Sequence, residues 1–129
     1  MNNAPIPAET NALAEKILGA AIEVHRELGP GLLESIYESA LIHELQARGL
    51  RVGRQVDVDV NYKGFIVGHL RLDLLVEGTV IVEVKAVDRH EPVFEAQVLS
   101  YLKLTKCRLG LLLNFNTRLL KDGIKRLAL

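Results

Sequence analysis

Tryptophan is absent from this 129-residue chain, and three tyrosines with three phenylalanines are all its aromatics. A core must therefore be built from Leu, Val, Ile and Ala, which suffice because nearly half the residues are apolar. The single cysteine, Cys107, excludes an internal disulfide and any cysteine-held zinc or iron–sulfur centre within one chain. It reads as a small buried residue at the start of a strand. No apolar run approaches membrane-spanning length, and the segment MNNAPIPAET has neither the basic nor the apolar region of a secretion signal. Those absences predict a cytoplasmic protein.

Net charge is absent too, with 16 basic and 16 acidic residues. That excludes a strongly basic, non-specific nucleic-acid binder. The two signs are nevertheless separated along the chain. Seven glutamates fall in residues 1–50 against Lys16, Arg26 and Arg48, whereas seven basic residues follow from Lys103 onward with Asp122 as their sole acidic companion. The basic third reads either as a phosphate-contacting surface or as a solvated rim. Histidines 25, 43, 69 and 90 share no metal-ligand spacing, and of these only His90 falls where it can approach the polar cluster described below.

Residues 1–10 read as a flexible leader with Pro5 and Pro7, and residues 11–129 as one domain, a size that buries roughly two thirds of its unfolded surface. Thr10 or Asn11 caps a helix to about Leu28, with Leu13, Ile17, Ala20, Ala21, Val24 and Leu28 at helical spacing. Gly29-Pro30-Gly31 ends it, and a second helix runs from about Leu32 to Arg48 before Gly49.

The period then falls to two. Strands are expected over Val52–Val60, Phe65–Val67, His69–Val76 and Val80–Val87, followed by a helix from Pro92 to Thr105 with Pro92 at its first position. The apolar run Leu109–Phe115 reads as a strand buried on both faces, and Leu119–Leu129 as a short edge strand. The order α-α-β-β-β-β-α-β predicts an α/β fold, a central mixed β-sheet flanked by helices.

Polar residues interrupt this pattern in one place. On Val80–Val87, alternation puts Ile81, Glu83, Lys85 and Val87 on one face. A three-residue Glu77-Gly78-Thr79 loop sets Val76 opposite Val80, and hence Asp73 opposite Glu83. A two-residue loop would put the two acids on opposite faces. In the first register two like charges stand within about 5 Å. They need compensation, from Lys85 and from a divalent cation, for which Asp and Glu oxygens are the ligands hard ions prefer. The plainer reading is a solvated face, with Glu83 paired to Lys85 and Asp73 to Arg71. Glu34, in the first turn of the second helix, is favoured there by the helix dipole whatever its function. Gln97 and Tyr101 share one face of the third helix.

Together these residues resemble a known family. Asp73 followed by Glu83-Val84-Lys85 looks like the D…(D/E)xK signature of the PD-(D/E)XK nuclease superfamily, with Leu72 where the name has proline. Gly31…Glu34…Tyr37 matches the GxxExxY motif of a family of small proteins assigned to it. Gln97-x-x-x-Tyr101 is similar to the QxxxY motif of RecB-like members. The resemblance covers about Ala14 to Asn116 and implies a restriction-endonuclease-like core and Mg²⁺- or Mn²⁺-dependent hydrolysis of nucleic acid, DNA being the expected substrate. Asp73, Glu83 and Glu34, with the Val84 carbonyl, would hold the metal. Lys85 would orient the attacking water or neutralise developing charge. Gln97, Tyr101 and Tyr37 would support the site or the substrate. Flanking nucleic-acid-binding domains, common in larger members, have no counterpart in the sequence. A non-catalytic domain that uses the same fold for binding or assembly is the alternative, and hydrolysis of a small phosphorylated molecule a third. A homodimer is expected from the edge strand and the basic tail.

Overall fold

The computed structural model describes residues 4–129. Helix α1 (Ala8–Leu28) starts before the expected cap, because the Pro7 carbonyl takes the Thr10 and Asn11 amides at 3.0 and 3.1 Å. Thr10 is thereby buried inside the first turn. Residues 8–10, expected within the leader, are thus helical, and residues 1–3 lie outside the described residues. Helix α2 (Glu34–Ala47) follows the Gly29–Gly31 turn, and α3 (Pro92–Thr105) opens with Pro92 as expected. No helix among the described residues is long and apolar enough to cross a membrane.

The strands are β1 (Val52–Tyr62), β2 (Phe65–Val76), β3 (Val80–Lys85), β4 (Leu109–Asn114) and β5 (Ile124–Ala128), with a 3-10 turn (Leu120–Gly123) before the last. They form one mixed sheet in the order β1-β2-β3-β4-β5, with β3 and β4 parallel and the other neighbours antiparallel. This is the expected α/β architecture of a sheet flanked by helices. One expected break is missing. Two strands were expected across Phe65–Val76, but β2 runs through Gly68, where a register shift against Val60/Asn61 bends the hairpin without stopping it. Glycine inside a strand marks an irregularity more often than an end.

Helices α1 and α2 cover one face, burying Ile17, Ala21, Tyr37 and Leu41 against Val80, Val82, Val84, Leu111 and Leu113. Helix α3 covers the other, with Val98 and Leu102 against Leu72, Ile81 and Leu112. Each fully buried aliphatic side chain contributes roughly 1.5–3 kcal/mol. Strand β4 is buried on both faces, as its unbroken apolar run requires.

The β1–β2 ribbon does not keep one face throughout. Val52, Leu74 and Val76 pack toward α1 and α2, whereas Val56, Val58, Leu70 and Leu72 pack toward α3. The reversal falls at Gln55 and Asp73, where the ladder skips a pair between Arg54↔Leu74 and Val56↔Leu72. Gln55 has φ 50°, a left-handed conformation that costs a non-glycine residue about 1 kcal/mol or more. The outer half of the hairpin thus turns its apolar side toward the α3 layer, and the turning point lies where the polar residues gather.

Candidate active site

The Glu77-Gly78-Thr79 loop is three residues long, with Glu77 and Gly78 at positive φ and the Thr79 amide on the Val76 carbonyl at 3.0 Å. Val76 therefore pairs with Val80 and Leu74 with Val82, the register that sets Asp73 opposite Glu83. Beyond Leu74 the backbone pairing of β2 with β3 ends and side chains take over. The Asp73 amide donates to Glu83 Oε2 at 2.8 Å, and the Val84 amide donates to Asp73 Oδ2 at 2.9 Å. The strands fork because each acid captures a main-chain N–H that a ladder would otherwise use. Arg71, the alternative partner of Asp73, pairs instead with Asp57 at 3.1 Å.

Lys85, one alternation beyond Glu83, lies with its ammonium 4.6 Å from the centroid of the Phe94 ring. Glu34, exposed at the start of α2, reaches the same end of β3 from the opposite layer. There its carboxylate lies close enough to the Ala86 main chain, Lys85 and Asp73 to feel all three. Tyr101, half-buried on α3, lies within electrostatic reach of Glu83 and Asp73, and Gln97 is exposed one turn earlier. Val84 turns its side chain into the α1–α2 core and offers only main-chain atoms to the site. Tyr37 is wholly buried. Its hydroxyl donates to the Gly29 carbonyl at 2.5 Å and accepts the Leu32 amide at 3.1 Å, while its ring stacks on Phe115 with centroids 4.7 Å apart. It therefore holds the turn that precedes Glu34, with its side chain enclosed in the core.

Glu38 escaped the sequence reading. It is buried on α2, accepting Gln55 Nε2 at 2.8 Å and Arg54 Nε at 3.1 Å, and its charge acts on Asp73, Glu83 and Glu34. The available signal was its spacing, i+4 from Glu34 and so on the same helical face. Gln55 gave none, since nothing in an alternating strand announces a left-handed residue.

The site is overloaded with negative charge. Burial, then the Asp73 charge, pushes the Glu83 carboxyl up to about 8, against the opposing pull of the Asp73 amide and Lys85. Burial also raises Asp73, the Val84 amide holding it back, and raises Glu34, with Lys85 opposing. Tyr101 is raised by burial and then by the two acids. Two facing, desolvated carboxylates beside one lysine fit a hard divalent cation, which would relieve that repulsion. Among the described residues no three His, Cys, Asp or Glu side chains converge closely enough to form a ready-made metal cage. Glu34 stands beside the Asp73–Glu83 pair, outside its immediate reach.

Comparison with known families agrees with this geometry. Residues 11–127 match the PD-(D/E)XK nuclease superfamily, and the chain belongs to it. No curated protein and no solved structure gives a significant match.

Proposed function

We propose that this protein is a metal-dependent nuclease of the GxxExxY type, hydrolysing phosphodiester bonds of nucleic acid with Mg²⁺ or Mn²⁺. The observation that carries the reading is the fork at Asp73 and Glu83, where a half-buried and a buried carboxylate each accept a main-chain N–H from the facing strand, with Lys85 alongside. Asp73 and Glu83 would hold the ion, with the Val84 carbonyl and with Glu34 at the rim. Bound there, it would supply an acidified water and offset charge on the phosphate. The Lys85 ammonium donates to the developing negative charge, and its position over Phe94 limits where it can point. Tyr101 offers a hydroxyl to the same space, with Gln97 outside it. Gln55 and Arg54 hold Glu38, whose charge acts on Asp73.

The test is cleavage of labelled DNA and RNA strands with Mg²⁺ or Mn²⁺ by the wild type and by Asp73→Asn and Glu83→Gln variants. DNA is the first substrate to try. Activity that survives both substitutions would overturn the reading. A second reading, a non-catalytic binding or assembly protein on the same fold, draws on the lack of a ready-made three-ligand cage among the described residues. It requires that Mn²⁺ titration detect no binding that depends on Asp73 and Glu83.

A further inference from the structure

The zero net charge hides an uneven use of cations. Arg26, Arg48, Arg51, Arg54 and Arg71 are each held in an ion pair with a nearby acid. Among the described residues Arg118, Lys121 and Lys125 have no such partner, and all three are exposed. They follow β4, whose last residue pairs with the last residue of β3, Lys85↔Asn114. The loop after β4 is therefore at the same end of the sheet as the loop after β3, beside which Glu34 lies.

Register places Lys125 closely. Glu83 pairs with Leu112, and Leu112 pairs with Lys125. Leu112 packs on the α3 side, so Glu83, Leu112 and Lys125 form one row on that face. Two strand spacings separate the ends of the row, about 10 Å. Lys125 also lines a cleft with Lys85, His90 and Phe94. The 3-10 turn forms the wall between this cleft and a second one, which Arg118, Lys121 and Pro30 line on the α1 side. The cations thus run from the row of Glu83, over that end of the sheet, to the loop that precedes Glu34. Asp122 is the one acid on the turn, leaving an excess of two positive charges over the track.

We propose that Lys125, Lys121 and Arg118 form a track for the phosphodiester backbone of a nucleic-acid strand leaving the carboxylate centre over the 3-10 turn. This rests on the nuclease reading and assigns that site its strand path. Phosphate contacts of this kind give affinity without sequence preference and weaken as salt is added.

The experiment is binding of a fluorescent single-stranded DNA oligonucleotide in EDTA across a salt series, with cleavage of the same strand in Mn²⁺ measured in parallel. A triple variant, Arg118→Ala, Lys121→Ala and Lys125→Ala, is expected to flatten the log–log salt slope by about 2, from about 0.7 per lost contact. Lys103→Ala with Lys106→Ala, at the end of α3 that leads into β4, is expected to leave the slope unchanged. Thermal melting checks that both variants fold. An unchanged slope in the triple variant, or a larger loss in the control pair, overturns the track while leaving the nuclease reading to the Mn²⁺ assay. A wild type that cleaves but binds with no salt dependence overturns the track alone. One that neither binds nor cleaves overturns both.

Discussion

The Tyr37 hydroxyl is bonded to the carbonyl of Gly29, eight residues earlier, and with the Leu32 amide on the same oxygen it ties the turn between α1 and α2 to the core. The tyrosine of the GxxExxY motif therefore acts at a distance. Its ring is stacked on Phe115 and its oxygen fixes where α2 begins, so Glu34 emerges at the end of β3.

Replacing Tyr37 with Phe leaves the ring and removes the oxygen. The Gly29 carbonyl and Leu32 amide lose a partner, and the expected cost is about 1–3 kcal/mol in urea unfolding. Cleavage should fall as well, because Glu34 is less well placed. Unchanged stability would show that the hydroxyl holds nothing.

Glu83 makes the metal-free protein sensitive to pH. Its folded-state value of about 8 exceeds the ordinary glutamate value, 4.5, so between those limits the folded state binds the proton more tightly than the unfolded chain. Stability without metal should fall as pH rises across that window, by at most about 1.4 kcal/mol per unit for one proton. Glu83→Gln should flatten the dependence in thermal melts recorded in EDTA.

Metal affinity should move the opposite way. Proton and cation compete for Glu83, so the apparent Mn²⁺ affinity should rise with pH up to about 8 and level off above it, as calorimetric titration would show. A flat profile would separate Glu83 from the metal.

Lys85→Met should spare Mn²⁺ binding and cut kcat by roughly a hundredfold to a thousandfold, the usual cost of losing one donor to developing charge. Lys85→Arg should not restore the rate, because a planar guanidinium cannot place a point charge over Phe94 in the same way.

Gln55 offers a test of strain. Both Gln55→Ala and Gln55→Gly lose the bond to Glu38, but only glycine accepts φ 50° freely. The glycine variant should be the more stable of the two by about 1 kcal/mol in denaturant unfolding.

The acid pair was legible in the sequence because a short loop fixes register, and Glu77-Gly78-Thr79 leaves two readings that differ by one residue. The buried β4 run and the proline start of α3 were legible for similar local reasons. What escaped depended on contacts between distant segments. Gly68 reads as a stop, but pairing with β1 carries the strand past it. The start of α1 moved to Ala8 because Pro7 supplies the first acceptor. Glu38 became part of the site because the ribbon turns over at Gln55, a reversal that periodicity alone does not encode.

The sharing of oxygens at the fork has a last consequence. Glu83 Oε2 and Asp73 Oδ2 are moored to the sheet by main-chain amides of the facing strand. Torsional freedom in both carboxylates is surrendered when the chain folds, so little remains to be lost when a guest arrives. Burial and repulsion at these two acids weigh on the folded protein, and a cation bound between them would relieve both.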